Sequence, residues 1–96
     1  MPSFILYILY SPTHNKTYVG QTDNLGRRIA EHNRGKVRST KAFAPWELLH
    51  MEEFEDRENA LQREKYYKSS AGRKKIKEIL GTKKSARLCE VNKQEY

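Results

Sequence analysis

Ninety-six residues with a net charge of +7, 36% hydrophobic and 32% charged, describe one domain with a thin core and much charged surface. The longest apolar run, Phe4 to Tyr10, falls far short of the ~20 residues of a membrane span and lacks the basic flank and cleavage site of a signal peptide. A lone cysteine, Cys89, rules out an internal disulfide, and the expected setting is a reducing cytoplasm with no membrane contact.

The charge is unevenly placed. Residues 1–46 hold seven Lys/Arg against Asp23 and Glu31, residues 47–62 hold Arg57 against six acids, and residues 63–96 hold eleven Lys/Arg against four acids. Two basic ends around an acidic middle imply one surface that attracts polyanions and another that does not. General solubility is the plainer explanation, but cations clustered at both ends exceed that need and favour a nucleic-acid partner.

Phe4 to Tyr10 is β-branched and aromatic, and its near-continuous apolarity predicts a strand buried on both faces. Ser11 to Lys16 carries the Pro and Asn of a chain reversal, and Thr17 to Gly20 returns as the second strand of a hairpin. Gly20, at the strand exit, permits a bend or a close backbone approach. Thr22 or Asp23 is expected to cap a helix through Asn33, with Leu25 and Ile29 as its buried stripe and Gly35 as a left-handed stop.

Arg34 to Pro45 reads as a basic loop, and Trp46 to Phe54 as a third strand burying Leu48, Leu49 and Met51. Asp56 opens a helix over Arg57 to about Ser69 with Ala60, Leu61 and Tyr67 inward, and Ala71-Gly72 is expected to break or kink it. A short third helix follows over Lys74 to Leu80, with Ile76, Ile79 and Leu80 as its stripe and Gly81 at its end. The order β-β-α-β-α-α describes an α+β domain over residues 1–80, a small three-stranded sheet flanked by helices. Residues 81–96 read as a mobile basic tail.

Five side chains can carry chemistry. Arg28 and His32 share one helix face a turn apart; an arginine there can hold a phosphate and a histidine can relay a proton, although an exposed Arg and a His on the helix dipole is the commoner meaning. Tyr7 and Tyr18 lie on adjacent strands and can point to one place, although structural tyrosines are common in strands. Tyr18 is followed by Val19-Gly20 and a helix entry, a setting suited to an anion. Glu64 stands near the inward edge of its helix, where it binds a metal or forms an i, i+4 salt bridge with Lys68. His14 and His50 have no partner at ligand spacing and read as incidental.

Ile5-Leu6-Tyr7, then Tyr18-Val19-Gly20-Gln21-Thr22, Arg28, Glu31-His32-Asn33, Pro45-Trp46-Glu47-Leu48 and Ala60-Leu61-Gln62-Arg63-Glu64-Lys65 resemble, in order and spacing, the GIY-YIG nuclease superfamily over about residues 4–80. The similarity is greatest to its small stand-alone bacterial members, whose domain also occurs in the excision-repair incision subunit. The sequence departs from the pattern at three places. The first motif reads Ile-Leu-Tyr, Gln21 stands where the repair branch has lysine, and the downstream asparagine is absent near Ile76 to Ile79.

The resemblance implies a divalent-metal-dependent endonuclease acting on DNA, structure-selective and linked to DNA repair, with RNA not excluded. It implies Mg2+ or Mn2+ as cofactor and Glu64 as the single protein ligand. In the same way Tyr18 is implied as water activator, Tyr7 as positioning water and phosphate, Arg28 as stabilising the scissile phosphate, and His32 as assisting proton transfer or orienting Tyr18. The residues expected along the nucleic acid are Arg27, Arg34, Lys36, Arg38, Lys41, Lys68, Arg73 and Lys74. A non-catalytic nucleic-acid-binding module with a relict site is the alternative, and a monomer is the default.

Overall fold

The computed structural model describes the chain from Phe4 to Glu95, with side chains described through Thr82. Strand β1 (Phe4–Ser11) lies at the centre of a three-stranded antiparallel sheet, between β2 (Lys16–Thr22) and β3 (Glu47–Phe54). Its apolar run explains that position: Leu6, Tyr7, Ile8 and Leu9 are all 1% exposed or less, so each face of the strand must be covered.

Two small cores result. On one face Leu6, Ile8 and Val19 pack with Tyr67 and Ile76, which come from α2 (Arg57–Lys68) and α3 (Ser70–Glu95). On the other, Tyr7, Leu9 and Trp46 pack with Tyr18, Leu25 and Ile29, the last two from α1 (Leu25–Asn33). Each fully buried Leu or Ile contributes about 1.5–3 kcal/mol. The alternation of β1 therefore separates an aliphatic face under α2 and α3 from an aromatic face under α1.

The hairpin turns through Asn15, at φ 52, whose side chain accepts a hydrogen bond from the Tyr10 hydroxyl at 3.3 Å. The β1–β3 register shifts between Ile8 and Leu9, which pair with His50 and Leu48. This bulge turns Leu49 toward the aliphatic core and Leu48 toward the aromatic one.

The cap of α1 is Asn24, one or two residues later than the expected Thr22 or Asp23. Its extended backbone lets the side chain accept from the Arg27 amide at 3.1 Å, while Thr22 Oγ1 accepts from the Asn24 amide. Gly35 follows the helix at φ 77, as expected. The basic loop contains one 3-10 turn, Lys41–Phe43, and Trp46 stands just before β3 instead of within it.

Asp56 caps α2 as expected, accepting from the Asn59 amide at 2.8 Å. Leu61, expected inward, is 39% exposed, because Ala60 and Tyr67 take the inward positions of the helix. The break before α3 falls at Ser69, whose backbone is extended, and not at Ala71-Gly72. Gly72 has another purpose: a Cβ there would lie 1.9 Å from the Tyr66 carbonyl oxygen, so only glycine lets α3 start against the end of α2.

The third helix is much longer than the expected Lys74 to Leu80. It passes through Gly81 and runs to Glu95. A mid-helix glycine costs only about 1 kcal/mol, and the Thr82 hydroxyl bonds back to the Glu78 carbonyl across that position. No helix end therefore marks a boundary at residue 80. The side chains of the rest of the expected tail, Cys89 included, lie outside the described residues.

Candidate active site

The aromatic face of β1 gathers four of the five candidate side chains. Tyr7 pairs across the sheet with Gly20 and Leu9 with Tyr18, so both phenols stand on the α1 side of the hairpin, ring centroids 6.2 Å apart. A Cβ on Gly20 would lie 2.6 Å from the Tyr7 hydroxyl and 3.0 Å from Tyr18 Cε2. Gly20 thus provides the space that the Tyr7 phenol occupies.

One turn apart on α1, Arg28 and His32 both reach the Tyr7 hydroxyl. Arg28 Nε donates to it at 3.4 Å, and His32 Nε2 lies 2.9 Å away. His32 stands in the last turn of α1, as the plainer reading has it, but it is fully buried and both ring nitrogens face hydroxyl groups. Its Nδ1 lies 2.7 Å from Thr40 Oγ1, and that hydroxyl donates to the Val37 carbonyl at 3.4 Å. With the Thr40 proton committed to Val37, the threonine oxygen accepts from Nδ1–H, which leaves Nε2 to accept from Tyr7. The chain runs Arg28 to Tyr7 to His32 to Thr40 to Val37.

Burial raises the Tyr7 pKa above 10.0, the Arg28 hydrogen bond opposes the rise, and the charges of Tyr18 and Glu64 add to it. Arg28 is held more firmly charged, first by its bond to Tyr7 and also by Glu31, which accepts from its NH1 at 3.1 Å. Burial, and then the Arg28 charge, push His32 below 6.5, so its imidazole is neutral at pH 7.

Tyr18 differs from Tyr7. It is partly exposed, and its ring packs on His32 with centroids 4.9 Å apart and on Trp46 at 6.5 Å. Both nitrogens of His32 are occupied by Tyr7 and Thr40, so His32 meets Tyr18 by ring packing and not by a hydrogen bond.

Thr40 and Trp46 were missed as parts of this site. The Trp46 indole donates to the Thr40 carbonyl at 3.0 Å, and Asn33 clamps the Trp46 backbone through its amide and carbonyl. The short Asn33-to-Trp46 loop is thereby closed on the end of α1, which sets Thr40 beside His32. A threonine in a basic loop carries no pattern of its own, and only the burial of His32 could have pointed to a required partner.

Glu64 approaches from α2. Its side chain is 17% exposed, Oε2 accepts from Lys68 Nζ at 2.7 Å, and its charge reaches Tyr7. The salt-bridge reading is therefore met. Among the described residues no three His, Cys, Asp or Glu side chains converge. A single carboxylate with one oxygen engaged by lysine suits a hard divalent ion that keeps most of its own waters.

A cleft of about 290 Å³ opens beside Arg28, lined by Phe4, Gln21, Thr22, Asp23, Arg27, Arg28, Glu31 and Arg57. Arg27 of the expected nucleic-acid set lies there, bonded to Asp23 at 3.3 Å. Arg34, Lys36, Arg38 and Lys41 are exposed on the loop that carries Thr40. Lys68 is paired with Glu64, and Arg73 and Lys74 are exposed on α3.

His50, read as incidental, belongs to a separate network. Glu52 accepts from Arg63 Nε at 2.8 Å and the Tyr67 hydroxyl at 2.6 Å, and its Oε2 lies 2.8 Å from His50 Nε2. This network ties β3 to the middle of α2, next to Glu64.

A family model described as the GIY-YIG catalytic domain matches residues 3–77. The chain belongs to the GIY-YIG family. This GIY-YIG protein is 39% identical over 71 residues to a UPF0213 protein of Natronomonas pharaonis, covering 73% of this chain and 82% of that one. It is 35% identical over 80 residues to a UPF0213 protein of Limosilactobacillus reuteri, covering 80% and 82%. The solution NMR structure of a UPF0213 protein from Bacillus halodurans matches with 30% identity and a TM-score of 0.49, over 79% of this chain and 81% of that one. The relatives are small proteins, and the family is one of nucleases with nucleic-acid substrates. Among the described residues, no helix of the GIY-YIG protein is long and apolar enough to cross a membrane.

Proposed function

We propose that the protein is a divalent-metal-dependent endonuclease that hydrolyses phosphodiester bonds in DNA. The observation that carries this reading is the chain from Arg28 through Tyr7 to a buried, neutral His32, with the Tyr18 ring packed at a tilt against the same imidazole. Such a buried polar chain exceeds the needs of a small core, which apolar residues would fill without partners to satisfy.

Hydrolysis forms one P–O bond from water and breaks one ester P–O bond; water must lose a proton and the leaving oxygen must gain one. Tyr18, the partly exposed phenol, meets the substrate side; once its own proton has passed to solvent, its oxygen accepts the proton of the attacking water, and the leaving oxygen takes its proton from a solvent water. Tyr7, sealed and bonded on both sides, positions Arg28, whose guanidinium retains N–H groups for the scissile phosphate. His32 accepts the Tyr7 hydrogen bond and packs against the tilted Tyr18 ring. Glu64 would hold Mg2+ or Mn2+, which acts when bound as a Lewis acid on the phosphate and leaving oxygen.

The test is incubation of the purified protein with branched, single-stranded and duplex DNA, and with RNA, in Mg2+, Mn2+ or chelator. Nicking that requires metal and disappears in Glu64→Ala supports the endonuclease reading. Salt-sensitive binding without cleavage under every metal supports a binding module instead.

A further inference from the structure

Arg57 lies in the most acidic segment of the chain, surrounded in sequence by Glu55, Asp56 and Glu58. The acidic segment that holds it is expected on a surface that does not attract polyanions. Arg57 instead lines the same cleft as Arg28 and Gln21.

The three arginines of this cleft are not equivalent. Arg27 is engaged by Asp23 at 3.3 Å and Glu31 at 4.0 Å, and Arg28 by Tyr7 and Glu31. Among the described residues, the Arg57 side chain has no hydrogen bond or ion pair. It is also the first residue of α2, the end of a helix where a cation is disfavoured by the aligned peptide dipoles. Neither its helix position nor a neighbouring carboxylate accounts for the placement. A guanidinium without a partner, facing a cleft that continues to another guanidinium, fits an oxyanion held between forked donors. The cleft is near the lower end of the ~300–1,000 Å³ usual for small-ligand sites, which suits one nucleotide unit and not a larger group.

We propose that this cleft is a second phosphate subsite, in which Arg57, with Gln21 beside it, binds a phosphate of the nucleic-acid strand that neighbours the one at Arg28. This assignment rests on the nuclease reading for the identity of the strand. Arg28 and Arg57 together would fix the path of the backbone across the site, so that binding at the flanking phosphate presents the scissile one to Arg28. Phosphate contacts of this kind set register without reading bases.

The experiment is a salt titration of binding, using fluorescein-labelled single-stranded and duplex DNA with chelator present, for wild type, Arg57→Ala, Arg57→Lys and Lys75→Ala. Lys75 lies on α3, pairs with Glu78 and stands outside the cleft, so its variant reports the loss of one distant charge. Arg57→Ala is expected to weaken binding several-fold and to lower the slope of log affinity against log salt by about one. Arg57→Lys should restore the slope with only part of the affinity, and Lys75→Ala should match wild type. If Arg57→Ala matches Lys75→Ala, the subsite is wrong even where the wild type cuts DNA. Binding with the expected slope change but no cleavage in metal sinks the nuclease reading and leaves the subsite standing, and absence of binding overturns both.

Discussion

The Tyr7 hydroxyl and His32 Nε2 meet at 2.9 Å in a space sealed from solvent, and Thr40 holds the other imidazole nitrogen at 2.7 Å. Each group has the proton its neighbour needs only if His32 keeps one tautomer. The order of the site is thus set by a threonine in the loop after α1, bonded to its own turn through Val37.

Thr40→Val keeps the shape and removes the hydroxyl, which leaves Nδ1–H buried without a partner at a cost of about 1–3 kcal/mol. We expect cleavage to fall by roughly tenfold, the lower end of what partners that orient a functional imidazole contribute. Thr40→Ser should restore it. Nitrogen-15 shifts of His32 check the cause: one tautomer in wild type and Thr40→Ser, a mixture in Thr40→Val.

Gly20→Ala places a methyl 2.6 Å from the Tyr7 oxygen and 2.8 Å from its Cζ. The β1–β2 backbone cannot yield without breaking its ladder, so the phenol must move away from Arg28 and His32. A loss of about 1–3 kcal/mol is expected, as for other overpacked sites. Thermal unfolding reads the stability, and a changed His32 titration reads the displaced phenol.

Much of this arrangement was legible in the sequence because short-range patterns carried it. The apolar run of β1 announced a strand buried on both faces, and i, i+4 spacing placed Arg28 and His32 together. What could not be read was which hydroxyl His32 would meet. Tyr7 and Tyr18 are equivalent by pattern, and only the register that sets Tyr7 opposite Gly20 decides the matter. Thr40 comes to His32 through a closed loop and Arg57 to the cleft through a helix start, and no local periodicity encodes either placement. The extent of α3 was misjudged for another reason: Gly81 reads as a stop, yet the helix on both sides of it outweighs its cost.

His32 predicts a pH dependence. Its folded pKa lies below 6.5 because burial, and then Arg28, disfavour the charged ring. Between that value and 6.5 the unfolded chain binds more protons, so stability rises with pH through this window and is lost as pH falls. Arg28→Gln removes one cause of the shift, so NMR titration should find the His32 pKa higher in that variant than in wild type.

Glu52 predicts an acid limit of a different origin. Burial acts to raise its pKa, and hydrogen bonds from Tyr67, His50 and Arg63 outweigh that and hold it below 4.5. Burial and Glu52 in turn push the Tyr67 phenol up to about 12. The stabilisation from this carboxylate is present above pH 4.5 and is lost as pH falls through its folded pKa. Glu52→Gln should lower the melting temperature at pH 7 and remove much of the difference between pH 7 and acid, measured by calorimetry.

The most direct test compares single-turnover cleavage of a nicked or branched DNA by wild type, Tyr18→Phe and Glu64→Gln across a Mg2+ titration, with circular dichroism showing each variant folded. Loss of the proton acceptor at Tyr18 should slow cleavage by about 10²–10⁴, the range of positioned acid–base groups, with the Mg2+ response kept. Glu64→Gln should remove the Mg2+ response itself. Cleavage at the wild-type rate by a folded Glu64→Gln, with the same dependence on Mg2+, would contradict the account.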